Sequence, residues 1–420
     1  MQNIQTNDNR AMLELLEQHS TKQRFYGKSY PKIPFLFSHN ARDFIVEEIP
    51  LYPFSNNGEH RILKIRKKNI NTLECIKLIA ESLNISEKHI GYAGLKDKNA
   101  LTYQYISLPN KAFLAYKHKI HEIPQIKIIE SCLHANKIKI GHLQGNRFMI
   151  RLKKVTQQSF ERIQEEAFAA QQYGFPNFFG YQRFGNFGDN YMRALEIKKP
   201  PNKQNSIEQL IVSSLQSAYF NLWLEERLKL SNIINGFNPK DSIKALESGY
   251  NISIDKEIIN ILHKVALPLT PLIGDVCMHY PHGRFFYFGD TRHCETQIKE
   301  QNITQIISKD IVRLREGGIS ITGLLSGIDC NQEAIQNKDS KEKKIHLKLA
   351  RESALCIEKK FCQNIMAHGT RRYAWVYPRE LELTYHKDQA HVDISFILPS
   401  GAYATNFLSY IKNGDVRNFD

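Results

Sequence analysis

Asp97 is the acid in this chain whose neighbours most suggest chemistry. It lies in the stretch G-Y-A-G-L-K-D-K-N-A-L-T-Y-Q-Y-I-S-L-P from Gly91 to Pro109. Two glycines permit a tight backbone path ahead of it, and the alternating segment Thr102 to Leu108 predicts a strand after it. An ionised aspartate at such a change of chain direction can act as a nucleophile or accept a proton. Composition alone would make it a solvated loop carboxylate. A second group, G-F-P-N-F-F-G-Y-Q-R-F-G from Gly174 to Gly185, is too rich in glycine and aromatics for a regular helix. It predicts a compact aromatic loop, which can stack on a planar ring or pack as an apolar corner. A third, G-N-R-F-M-I-R-L-K-K from Gly145 to Lys154, places Phe148, Ile150 and Leu152 on one strand face. Arg147, Met149, Arg151 and Lys153 then lie on the other, where the cations can meet phosphates.

The elements that must position these groups follow from periodicity. Ala41 to Pro50 reads as a strand with Phe44 and Val46 on one face, and Arg61 to Lys68 as a strand with a basic outer face, where Leu63 and Ile65 alternate with Lys64 and Arg66. Asn71 can cap a following helix, with Glu74 three residues on and Leu73, Ile76, Ile79, Ala80 and Leu83 as its apolar stripe. Helices are predicted over Gln158–Ala170 and Ile207–Leu230, separated by a turn-rich break at Pro200–Ser206. A charged helix is predicted from Lys341 to Cys362, with Ile345, Leu349 and Cys356 facing the core. Strand periodicity returns over Gly369–Pro378, Val392–Leu398 and Pro399–Leu408. Residues 1–30 read as a loosely attached leader with one short helix, Ala11–His19.

Fifty-seven Lys and Arg against 43 Asp and Glu give a net charge of +14 over 420 residues, which favours a polyanionic partner. No long apolar span, no apolar h-region near the start and no Cys-x-x-Cys pair occur among the seven cysteines, so a cytoplasmic, reduced compartment is expected. Cys277, His279, His282, His293 and Cys294 cluster in sequence, but with no zinc-site spacing. Walker A, Gly-x-Gly-x-x-Gly and Pro-Cys-x-x-Cys strings are absent.

Gly-Tyr-Ala-Gly-Leu-Lys-Asp-Lys-Asn-Ala-Leu-Thr-Tyr-Gln closely resembles the signature of the TruD family of tRNA pseudouridine synthases. So do the Asp-Phe-x-Val-x-Glu segment at Asp43, the Gly-Asn-x-Phe at Gly145, the Asn-Phe-Phe-Gly-x-Gln-Arg-Phe-Gly at Asn177, and the S-A-Y-F-N-L-W-L-E-E-R-L run within Ile207–Leu230. The resemblance covers roughly residues 34 to 410. It implies an α+β fold: a pseudouridine synthase catalytic domain with a mixed, mainly antiparallel sheet and helices, plus a family-specific inserted α+β domain. The expected divisions are a leader at 1–33, the first part of the catalytic domain at 34–203, the insertion at 204–366 and the closing part at 367–420.

By the same resemblance Asp97 is the catalytic nucleophile and Phe44 walls the cleft. Asn177 contacts the target nucleotide or the catalytic loop, and Phe179 stacks on the uracil. Arg147 and Arg151 are the expected RNA contacts, with Arg371 and Arg372 further candidates. The implied reaction is isomerisation of uridine to pseudouridine in tRNA, at position 13 of the D-arm, with no cofactor, metal or protein partner. The family's lysine that pairs with the aspartate is replaced here by Ser38, between Phe37 and His39. His39, Lys32 and Arg183 are the candidates to take its place, since Lys96 and Lys98, each adjacent to Asp97, would point to the opposite face of an extended backbone from it. A catalytically silent RNA-binding protein, such as a tRNA folding chaperone, and an RNA methyltransferase are the competing readings.

Overall fold

The computed structural model describes residue 28 and residues 30–185, 188–289, 303–330 and 355–417. The short helix at Ala11–His19, residues His293 and Cys294, and most of the charged helix from Lys341 lie outside these residues. The chain divides into two compact units: residues 32–171, 378–404 and 416–420 form one, and residues 1–31, 172–377 and 405–415 the other. The segment expected as an insertion, 204–366, belongs to the second unit, together with the aromatic loop.

The first unit is built on a nine-stranded sheet. Its N-terminal part supplies β1 (Leu36–Phe37), β2 (Phe44–Pro50), β3 (His60–Lys68), α1 (Thr72–Leu83), β4 (Gly91–Tyr92), β5 (Leu101–Pro109), α2 (Asn110–His121), β6 (Ile126–His134), β7 (Leu143–Lys153) and α3 (Gln157–Tyr173). The second unit contributes β8 (Phe175–Pro176), α4 (Asn190–Ala194), α5 (Ser206–Gly236), α6 (Pro239–Tyr250), α7 (Lys256–Val265), β9 (Val276–His279) and β10 (Phe285–Tyr287). It continues with α8 (Ile303–Arg315), β11 (Ile319–Leu325), α9 (Leu355–Lys360), β12 (Thr370–Tyr373) and β13 (Trp375–Val376). The chain then returns to the first sheet with β14 (Arg379–His386) and β15 (His391–Pro399), before α10 (Ala404–Lys412).

The main sheet runs β14-β15-β7-β2-β5-β3-β6, with β1 on β7 and β4 on β5. All its pairs are antiparallel except β2 with β5, where Ile45 faces Leu101. That parallel pair sets the loop entering β5 beside the turn entering β2. Helices α1 and α2 cover one face through Ile76, Ile79, Leu83, Phe113 and Ile120, packed on Leu63, Ile65 and Ile106. The Asn71–Glu74 capping box forms as expected, but the stripe shifts: Leu73 is exposed and Cys75 is buried in its stead.

In the second unit, β10-β9-β11-β12 form a four-stranded antiparallel sheet, and β8 pairs with β13. Helix α5 opens with its own capping box, Asn205 with Glu208. From its buried face Arg227 makes a bidentate pair with Asp275, at 2.6 and 2.8 Å, and also donates to the Thr270 carbonyl. Pro399–Leu408, expected as strand, instead enters α10. Ala404, Phe407, Leu408 and Ile411 are all buried there, a spacing of three and four that suits a helix and not a strand.

Removing one member of a fully buried ion pair strands its partner's charge, at a cost of about 3 to 5 kcal/mol. Arg227→Ala is expected to lower unfolding free energy by that amount in urea titration. Loss below about 1 kcal/mol would contradict the pair's role.

Candidate active site

Asp97 sits in the loop of residues 93–100 between β4 and β5, with its side chain 55% exposed. The loop's path does not come from glycine freedom. Gly91 is needed because a Cβ there would stand 2.2 Å from the Ile138 carbonyl oxygen, and Gly94 meets only ordinary contacts. The backbone is held by polar side chains from below. Lys67 of β3, fully buried, donates its Nζ to the carbonyls of Ile70 (2.9 Å), Lys96 (3.3 Å) and Asp97 (3.1 Å). Thr72 Oγ1 accepts from the Lys96 N–H at 2.8 Å and donates to Gln104 Oε1, and Gln104 Nε2 donates to the Gly94 carbonyl. Burial pulls the Lys67 amine down to about 8, against which the nearby Cys75 and Asp97 act. At neutral pH it is an ammonium with three N–H groups for three carbonyls.

Lys96 turns away from Asp97 and pairs with the buried Glu48 of β2 at 2.7 Å. Burial raises the Glu48 carboxyl, and Lys96 opposes that rise. The titratable nitrogen beside Asp97 belongs to His39, whose Nε2 lies 3.8 Å from Oδ2. Its ring is stacked on Phe37 and meets Phe44 edge-on at 5.0 Å. The turn that carries it is fixed by Asn40, whose Oδ1 accepts from the Arg42 and Asp43 N–H groups. Phe44 is itself buried, between His39 and a stacked Phe148. Burial lowers the His39 pKa from 6.5, and Asp97 counters part of that shift. Sequence alone had His39 as one candidate among three. Lys67 was missed, although its position two residues beyond Ile65 puts it on the same inward face.

The aromatic loop, in the other unit, is fixed by β12 and β13. Gly174, at φ +75°, lies beneath Trp375, whose Nε1 would be 2.2 Å from any added Cβ. Asn177 is buried: its N–H donates to the Ala374 carbonyl, its Nδ2 to the Tyr373 carbonyl, and its Oδ1 accepts from Arg372 Nη2 at 2.8 Å. Phe179 is 5% exposed, and the Arg372 guanidinium covers its ring at 3.9 Å. Asn221 of α5 brackets Phe179, accepting from its N–H and donating to its carbonyl. Arg372, read in sequence as a possible phosphate contact, thus ties the asparagine to the aromatic ring. Arg371 is buried against Glu358 and Thr322.

Arg147 and Arg151 lie on the outer face of β7, each against an acid. Arg147 bonds Glu380, and Arg151 holds Asp393 in a fork at 2.8 and 3.0 Å. In the second unit Cys277 is fully buried, and that burial pushes its thiol well up. His279 contacts Arg313.

The family model described as tRNA pseudouridine synthase D (TruD) matches residues 21–192 and 262–411. A tRNA pseudouridine synthase D of Sulfurimonas denitrificans is 41% identical over 392 residues, covering 92% of this chain and 98% of its own. One from Wolinella succinogenes is 38% identical over 397 residues, covering 94% and 99%. A crystal structure from Methanosarcina mazei, described as a tRNA pseudouridine synthase D, superposes with a TM-score of 0.53 at 18% identity, covering 94% of this chain and 97% of that one.

Lys67→Met takes the donor from three carbonyls, a change worth about 1 to 3 kcal/mol. Amides of residues 93–100 are expected to exchange hydrogen at least tenfold faster than in the native chain, while β3 and β6 stay protected. Equal protection would show that the loop does not depend on the lysine. His39 and His391 both lie below their ordinary 6.5, chiefly through burial. The unfolded chain therefore takes up protons that the native chain resists, and stability should fall as pH drops below about 6.5. Urea midpoints between pH 7.5 and 5 check this, and His39→Phe should flatten the slope.

Proposed function

This chain belongs to the TruD family of tRNA pseudouridine synthases, and on that premise we propose that it isomerises uridine at position 13 of the tRNA D-arm, with Asp97 as nucleophile. The observation that supports this role is the anchoring of Asp97. Its backbone is clamped from below by Lys67, and its carboxylate stays open to an incoming ribose or base. In the reaction the N1–C1′ bond breaks, the uracil turns within the site, and C5 bonds to C1′. The C5 hydrogen leaves as a proton and N1 gains one, so nothing is added or removed. His39, close to Asp97, takes the place of the family lysine and favours the carboxylate when protonated.

Asn177 shapes the aromatic loop, and Phe179 stacks on the flipped uracil, an interaction worth about 1 to 3 kcal/mol. With the ring 5% exposed, Arg372 has to yield its place over Phe179 as the base arrives. Phe44 supports this chemistry from beneath His39. Arg147 and Arg151 exchange their carboxylate partners for phosphates, an exchange with a low barrier because exposed ion pairs contribute only about 0 to 1 kcal/mol. A cytoplasmic location fits such a substrate. Among the described residues no helix is long and apolar enough to cross a membrane.

Tritium release from tRNA carrying 5-tritiated uridine tests the reading, because forming the C5–C1′ bond expels that hydrogen. Native protein should release one equivalent per site, and Asp97→Asn none. Tight tRNA binding without release by the native protein, on tRNA and other RNA substrates alike, would favour the silent RNA-binding alternative. Arg147→Gln and Arg151→Gln should each reduce the salt dependence of tRNA affinity, with the log–log slope falling by about 1.

A further inference from the structure

At the closed end of the β14–β15 hairpin, His386 and His391 face each other as the last cross-strand pair, and Asp393 follows on β15. The two imidazoles are stacked with centroids 4.4 Å apart. Their Nε2 atoms lie 3.3 Å (His386) and 3.9 Å (His391) from the same oxygen, Oδ2 of Asp393. The three ligand atoms all fall within 4.8 Å of one another. We propose that His386, His391 and Asp393 form a binding site for a divalent transition metal of the zinc class, apart from the isomerisation chemistry.

Three observations carry this. His391 is 5% exposed and its Nε2 is buried without a hydrogen-bond partner, an uncommon state for a polar atom and one that a metal ion satisfies. Ligand atoms about 2.1 Å from a tetrahedral ion stand about 3.4 Å apart, and the nitrogen–oxygen spacings here are 3.3 and 3.9 Å with every pair inside 4.8 Å, so closure on an ion needs side-chain movement of at most about 1.4 Å. The surroundings also resemble those of built sites. In the RNA-free protein the Arg151 fork orients Asp393, as outer partners orient metal ligands.

The charges around the site permit a cation. Arg151 is engaged with Asp393 itself, and Lys153, opposite His391 in register, is paired with Asp43. A carboxylate has lone pairs for both a guanidinium and a metal. Half-exposed His386 and Asp393 leave the outer side open, so water completes the coordination. Two neutral imidazoles and one carboxylate suit zinc or cobalt better than the hard cations magnesium and calcium, which take oxygen ligands.

The test is titration of tag-free, full-length protein with Zn²⁺ by calorimetry and with Co²⁺ by visible absorption. Native protein should bind one equivalent saturably, show d–d bands with Co²⁺, and unfold at a higher temperature with metal than with chelator. His386→Ala, His391→Ala and Asp393→Asn should each weaken binding at least tenfold, with circular dichroism checking the fold of each. His89→Ala, at an exposed histidine elsewhere, should bind like the native protein. His386 is half-exposed at a hairpin end, so its variant keeps the test informative if His391→Ala fails to fold. Absence of saturable Zn²⁺ binding by the native protein, or its full retention in folded His386→Ala and Asp393→Asn, would overturn the site.

Discussion

A buried ammonium holds the Asp97 loop in place. Lys67 lies in the inward row of β3, where burying a cation is costly unless every N–H finds an acceptor. The acceptors it finds are carbonyls at both ends of the chain between β3 and the loop, Ile70 on one side and Lys96 and Asp97 on the other. The cost of burying the charge therefore falls on any conformation in which the loop drifts away. Thr72 and Gln104 act in the same sense with neutral groups. Polar atoms under the loop make its backbone rigid, and the carboxylate above needs no partner of its own to stay in position.

Much of this frame was legible as periodicity. The alternation in β2, β3 and β7 predicted their buried faces, that of Thr102–Leu108 predicted β5, and the Asn71–Glu74 spacing predicted a capping box that formed. What escaped was the identity of residues that obey the period but break its usual chemistry. Lys67 follows Leu63 and Ile65 on the inward face, yet a lysine in a basic run reads as solvated. Leu73 shows the reverse, an apolar residue on the outer side of α1. Pro399–Leu408 was misread because its second half, Ala404–Leu408, is buried at every position and has no alternation to separate strand from helix.

The motif residues of the candidate site could be named from the sequence, and their partners could not. Asp97, Asn177 and Phe179 stand in recognisable motifs, but partnership depends on pairing between distant segments. The parallel register of β2 on β5 brings His39 to Asp97 from the turn before β2. Arg372, almost two hundred positions after Asn177, bonds it and covers Phe179. No local pattern announces either meeting. The motif asparagine spends its amide on β12 and Arg372, so its visible work is to shape the loop.

Strand β7 receives the whole of β15, from Lys153 opposite His391 to Gly145 opposite Pro399. During synthesis those two strands leave the ribosome far apart in time. Everything from β1 to β7 emerges, and residues 172–377 of the second unit follow, before the last strands of the first sheet exist. Over that interval β7 presents an unpaired edge with Phe148, Ile150 and Leu152 beside it, the kind of surface that recruits foreign strands. Until β15 is made, that edge is where protection by a chaperone, or rapid elongation, would matter most.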